Sequence, residues 1–249
     1  MNDVRDNPAG PAELIDLLRA ELPVATATVS LEGRRCGLVI IDEQNGFATV
    51  GAGPLAPSEA NAQISRMIAE TDRLARVFAE RGLPIAVFLD WHATDRPEPP
   101  YPLHCLAGTA EAELVPELSW LEQSPAATLL RADCINDFVG SIDPATGRNA
   151  IVEWVIGETL DTLIVVGICT DICVAEFVAT MLSARNHALM PPLRDIVVYE
   201  PGCATYDLPR ATAGALGLPA TAAHPQAEAH HLGLWMMASR GALLASEIR

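Results

Sequence analysis

The 249-residue chain contains no lysine; all 16 of its basic residues are arginine. Any chemistry that needs a lysine amine must therefore be done by something else. Cysteine is also scarce. Six in this length are too few for a disulfide scaffold, and their spacings match no paired CxxC zinc ribbon. No run approaches the ~18 consecutive apolar residues of a membrane span, so no membrane partner is expected. Positive charge is in deficit: the formal net charge is −16, with the acidic residues spread along the chain. A phosphate-binding surface must be basic, so nucleic acid and anionic membrane are not expected as partners. The opening MNDVRDNPAG has neither a basic n-region nor an apolar h-region. The expectation is therefore a cytoplasmic, reduced protein.

Half of the residues are hydrophobic, enough for a sizeable core. Five short apolar runs read as strands: Gly37–Asp42, Pro84–Asp90, Thr128–Ala132, Thr162–Ile168 and Asp195–Glu200. Near-continuous apolar runs belong to strands covered on both faces. Helical patterns lie between several of them. One runs from an N-cap at Ser58 to Arg81, with Ile64, Met67, Ile68, Leu74, Val77 and Phe78 at helical spacing. A second covers about Asp171–His187 and a third about Thr221–Ala238. Strands alternating with helices predict an α/β fold, a single-domain parallel sheet with helices on both faces. Residues 1–30 read as an N-terminal helical extension and 31–249 as the domain. The stretches Glu43–Pro57 and Trp91–Ala110 read as long loops after strand C-termini, the edge where such sheets bind ligands.

Three strand ends carry candidate chemistry. Asp42 ends the first strand, where a desolvated carboxylate could act as a general base or simply serve a turn. In "FLDWHATDRPEPPYPLHC", Asp90 and His92 alternate around Trp91, and Glu98 and His104 follow in one proline-rich loop. Two imidazoles and two carboxylates suit one divalent ion (Zn, Fe or Mn); the alternative is a polar surface loop. The third end is "VVGICTDICVAEF". It puts Cys173 in the first turn of a helix, where amides and the helix dipole stabilise a thiolate and an oxyanion. The alternative is that Cys169 and Cys173 only pack. Of the adjacent pair His230 and His231, one is expected exposed and one packed.

Taken together, "GLVIIDEQNGF", "DWHATDRPEPPYPLHCLAGTAEAELVPEL", "DCINDFVGS", "VVGICTDICVAEFVATMLSARNH", "VVYEPGCATYDLP" and "AHPQAEAHHLGL" resemble the isochorismatase-like cysteine hydrolases. Within that family the match is closest to plant-type nicotinamidases. The resemblance implies the isochorismatase-like hydrolase fold and a small carboxamide substrate. It also implies NAD salvage and a homo-oligomer. It puts the catalytic aspartate on Asp42 and the nucleophile on Cys173. Oxyanion-hole amides fall on Cys169 and Cys173, with a cis peptide at Ile168–Cys169. Aromatic pocket walls fall on Phe47 and Tyr101, and the metal ligands on Asp90, His92, Glu98 and His104. The reaction implied is thiolate attack on a carboxamide, release of ammonia and hydrolysis of a thioester. Two positions depart from the family. Its catalytic lysine falls on Ala132, and a family glycine falls on Asp137. Arg131, next to Ala132, points to the opposite face of a regular strand. Three functions follow: an amidohydrolase on Asp42 and Cys173, a non-catalytic relative binding a pyridine-like ligand, or a hydrolase of another small amide or a vinyl ether.

Overall fold

A computed structural model describes residues 11–249. The first ten residues of the expected N-terminal extension lie outside the described residues. Seven parallel strands form one sheet: β1 (Ala27–Val29), β2 (Cys36–Ile41), β3 (Ile85–Asp90), β4 (Ala127–Ala132), β5 (Thr162–Ile168), β6 (Asp195–Ala204) and β7 (Leu243–Ile248). Their order is β1-β7-β6-β5-β2-β3-β4. The helices are α1 (Pro11–Glu21), α2 (Asn45–Ala48), α3 (Ala62–Glu80), α4 (Asp137–Gly140), α5 (Ala150–Gly157), α6 (Cys173–Asn186), α7 (Arg210–Ala215) and α8 (Gln226–Ser239). None of the described helices is long and apolar enough to cross a membrane.

The alternation of side chains along each strand builds two cores. Leu38 and Ile40 of β2 face one way and pack with Met67, Leu74 and Phe78 of α3. Val39 and Ile41 face the other way, toward Phe177, Val178 and Met181 of α6 and Ile151 and Val155 of α5. Every residue of β2, β3 and β5 is buried, as their continuous apolar runs predict. The result is the expected single-domain α/β fold, a central parallel sheet with helices on both faces.

Chain direction positions the site. From β2 the chain steps to β3 and β4 on one side, then returns to β5 on the other. The C-terminal ends of β2 and β5 therefore flank the switch point of the sheet, where a crevice opens. The two strands approach closely there. Gly167 has φ +132°, and a Cβ at that position would collide with the Ile41 carbonyl oxygen.

Several expectations need correction. The long helix after β2 is capped by Asn61, not Ser58; the Asn61 side chain accepts from the N–H of Gln63 and Ile64. Residues from Thr221 lie partly in a 3₁₀ turn (Ala220–Ala222), and α8 starts at Gln226 behind Pro225. β6 runs on to Ala204, with a register shift against β5 between Val165 and Gly167. β1, inside the stretch read as an extension, pairs in parallel with β7. His230 and His231 are both buried, neither being exposed. The N-terminal segment packs over α8, and His231 Nε2 lies 2.9 Å from the Leu22 carbonyl oxygen.

Candidate active site

Asp42 follows β2 directly and has φ +54°, a left-handed conformation rare for a residue with a side chain. Its carboxyl is buried beside the Cys173 thiol, and among the described residues Oδ1 has no hydrogen-bond partner. Burial pushes the Asp42 pKa well up, and the nearby Asp90 carboxylate pushes it further. Such a carboxyl takes up a proton more readily than a free one, as a general base must.

Cys173 is the first residue of α6. The turn before it leaves β5 through a cis Ile168–Cys169 peptide. Ile172 and Val174 both donate to the Cys169 carbonyl, at 3.0 and 3.2 Å. Among the described residues, no backbone carbonyl accepts from the N–H groups of Cys169 or Cys173. The thiol pKa is raised well above its usual range by burial, then by Asp42, Cys169 and Asp137.

The third cluster comes from β3 and the loop behind it. Asp90 is the last residue of β3, and its backbone N–H donates to Gln44 Oε1 at 2.6 Å. Gln44 Nε2 in turn donates to the carbonyls of Asp90 and Ala112, at 2.9 and 2.8 Å. This buried glutamine pins the strand end. A glutamine in a loop carries no sequence signal for that role, and it was not anticipated.

His92 Nε2 lies 2.8 Å from Asp90 Oδ1, and His104 Nε2 lies 2.9 Å from Asp90 Oδ2. Asp90, His92 and His104 form a buried group with metal-ligand spacing. Glu98 stands just outside it. Its Oε2 is 3.8 and 3.9 Å from the two imidazole nitrogens, while Oε1 accepts from the Ile135 N–H at 2.7 Å. The chemistry of the group fits a cation. His104 Nδ1 faces the Pro102 carbonyl at 2.8 Å, so Nδ1 carries the hydrogen, and Nε2 turns a lone pair toward a carboxylate unless a proton or metal intervenes. His92 Nδ1 and Nε2 are buried without an aligned hydrogen-bond partner. Burial raises the Asp90 pKa, but the two histidines outweigh it and hold the carboxyl below its usual value. The rings of Phe47 and Tyr101 stand edge-on to His104, at 5.6 and 6.2 Å between centroids.

Ala132 pairs in register with Asp90 and is buried. A Cβ on Gly140 would lie 2.5 Å from the Ala132 Cβ, so α4 rests directly on this position. Arg131 points away and stacks on Trp91, with Cζ 4.5 Å from the ring centre. The pairing of β4 with β3 is regular, with no bulge to swing Arg131 inward. Asp137, at the start of α4, is buried with Oδ2 unpartnered. Burial raises its pKa, and Asp42, Asp90 and Glu98 raise it further.

The described side chains thus bring together a thiol, a carboxyl and a candidate metal cluster at one crevice. Comparison with known proteins agrees in fold and in sequence. An isochorismatase domain matches residues 36–247. Nicotinamidase 1 of Arabidopsis thaliana is 49% identical over 237 residues, 94% of this chain and 96% of that protein. A nicotinamidase of Acinetobacter baylyi is 27% identical over 172 residues, 58% of this chain and 73% of that protein. The crystal structure of a nicotinamidase from Bacillus subtilis superposes with a TM-score of 0.62 at 21% identity, over 85% of this chain and 99% of that one. That of an N-carbamoylsarcosine amidase from Thermoplasma acidophilum gives 0.59 at 20% identity, over 85% and 95%. With the domain match spanning most of its length, the chain belongs to the isochorismatase family.

Proposed function

We propose that the chain is a metal-containing amidohydrolase. It would convert a carboxamide, nicotinamide or a close analogue, to the carboxylic acid and ammonia through a cysteine thioester. The observation that carries this reading is the meeting of Cys173 and Asp42 beside the Asp90–His92–His104 group. The 49% identical relative named a nicotinamidase supports the substrate.

In this reading Asp42 takes the thiol proton as sulfur attacks the carboxamide carbon. The oxygen that becomes negative is met by the N–H groups of Cys169 and Cys173. Asp42 passes the proton to the leaving nitrogen, the C–N bond breaks and ammonia departs. Water then attacks the thioester, Asp42 takes one of its protons and returns it to sulfur as the C–S bond breaks, and the carboxylic acid leaves. Phe47 and Tyr101 would wall the ring of the substrate. Asp90, His92 and His104, with Glu98 as a fourth ligand, would hold one divalent ion (Zn, Fe or Mn). When bound, that ion supplies a Lewis acid that anchors a ring nitrogen.

The second reading is a non-catalytic relative that binds a pyridine-like ligand. What favours it is Ala132 together with the Asp137 carboxyl beside the thiol. An ammonia-release assay with nicotinamide and a panel of small carboxamides separates the two. Activity in the parent that is lost in Cys173→Ala is the expected result. A parent inactive on the whole panel would sink the amidase reading.

A further inference from the structure

The segment "AHPQAEAHHLGL" has no part in the chemistry above. In the structure it lies against the turn that leads from β5 into Cys173. Thr170 is fully buried, and its Oγ1 meets His230 Nδ1 at 2.8 Å. Asp171 is held at both oxygens: Thr205 Oγ1 donates to Oδ1 at 2.7 Å, and His224 Nε2 stands 2.8 Å from Oδ2. His224 is itself fixed. Its Nδ1 faces the Tyr206 carbonyl at 2.9 Å, and the Tyr206 ring stacks on the imidazole at 3.8 Å and 13°. A carbonyl only accepts, so Nδ1 carries a hydrogen, and Nε2 can donate to Asp171 only as an imidazolium. Behind His230, Nε2 lies 3.5 Å from Glu200 Oε1, which Arg66 holds at 2.8 Å. Helix α8 presses on the same turn: a Cβ on Gly233 would lie 2.7 Å from the Asp171 Cα.

We propose that His224–Gly233 is the positioning element of the nucleophile turn. His224 and His230 hold Asp171 and Thr170, so that the Cys169 and Cys173 amides and the Cys173 thiol keep their geometry during turnover. The inference rests on the amidase reading. None of these histidines touches the reacting atoms; they act through the turn. Misplacement of a reacting group by about 1 Å can cost on the order of a hundredfold in rate.

The clamp carries its own pH dependence. His224 faces Asp171, the Thr205 hydroxyl bonded to it, and the carbonyl and ring of Tyr206; Asp207 is engaged by the Gln226 N–H at 3.1 Å. His230 faces Thr170, Glu200 and, through it, Arg66. Burial pulls the His224 pKa down, but Asp171 outweighs it and holds the imidazolium above its ordinary range. Burial lifts Asp171, and His224 outweighs that in turn. The pair is therefore ionic below the raised His224 value. Above it, a lone pair faces a carboxylate and the turn loosens.

The test is the pH profile of kcat and KM for ammonia release, with metal content and thermal unfolding recorded for each protein. His224→Ala is expected to lower kcat roughly tenfold to a hundredfold with KM little changed. His224→Gln, which can donate to Asp171 without titrating, is expected to recover most of kcat and to lose the parent's alkaline falling limb. If His224→Ala fails to fold, the His224→Gln profile decides alone. Either variant matching the parent in both kcat and alkaline limb overturns the clamp while leaving the amidase reading intact. A parent that releases no ammonia overturns both.

Discussion

Cys173 stands at a helix start, a place that favours a thiolate. Burial and two neighbouring carboxyls, Asp42 and Asp137, work against it. One of these is the proposed base; the other occupies a position where the family resemblance expects glycine. Removing Asp137 takes away a like charge and a buried carboxyl with an unpartnered oxygen. Asp137→Gly is expected to raise kcat/KM, because one of the groups that lift the thiol pKa is gone. Adding Ala132→Lys to that variant should raise it further, because a cation at the strand end that pairs with Asp90 favours the thiolate. Steady-state ammonia release checks both; variants at or below the parent would show that Asp137 assists the reaction. For the metal cluster, His92→Ala should bind far less metal than the parent after chelation and reloading, measured by elemental analysis. Equal content in the two proteins would sink the site. The residues at the three strand ends were legible because a polar group ending a buried apolar run is conspicuous. Gln44, His224 and Thr205 were not. Each acts through hydrogen bonds to groups distant in sequence, and no local pattern announces such a bond.

At the scale of elements, β2, β3 and β5 could be read from the chain because each buries every residue, and α6 because Val174, Phe177, Val178, Met181 and Leu182 recur at helical spacing on its buried side. A buried run leaves one signal and few competitors. β1 and β7 could not. β1 has three residues, and β7 includes exposed Leu243, Ser246 and Glu247. Strands of this kind gain their identity from pairing: β1, at the sheet edge, lies on β7 through Ala27–Ala245 and its neighbours, and β7 lies on β6. α4 is a single turn whose N-cap, Asn136, accepts from the Val139 N–H at 3.3 Å; four residues leave no periodicity to detect. The tight approach of β5 to β2 at Gly167 makes a sharp prediction. Gly167→Ala forces a side chain onto the Ile41 carbonyl at φ +132°. It should destabilise the fold by about 3 kcal/mol or more, since both overpacking and backbone strain act there. Urea unfolding monitored by circular dichroism measures it. A midpoint within error of the parent would mean that β2 and β5 are not in contact at this point.

Over the whole molecule, the buried carboxyls set how stability varies with pH. Glu43 is buried with Oε2 unpartnered; its Oε1 accepts from Thr71 at 2.6 Å. Burial raises its pKa well above the ordinary value, and the Thr71 hydrogen bond offsets this only in part. A carboxyl raised by folding binds its proton in the native state while the unfolded chain has already released it. Between the unfolded value of about 4 and the folded value, stability therefore falls as pH rises. His224, also raised, has the same sign: its contribution is complete below about 6.5 and is lost as pH climbs through the folded value. The net charge of −16 adds self-repulsion that weakens as carboxylates take up protons. Opposing these, Asp171 and Glu200 are held low, and their stabilisation disappears only as pH falls below about 4. The melting temperature should accordingly peak on the acid side of neutrality and decline toward pH 8. Glu43→Gln keeps an acceptor for Thr71 and removes one buried titration, so its melting temperature should exceed the parent's at pH 8 and converge with it near pH 5. Calorimetric scans at both pH values decide this. A parent that is most stable at pH 8, or a variant offset that does not change with pH, would show that Glu43 is charged in the native state.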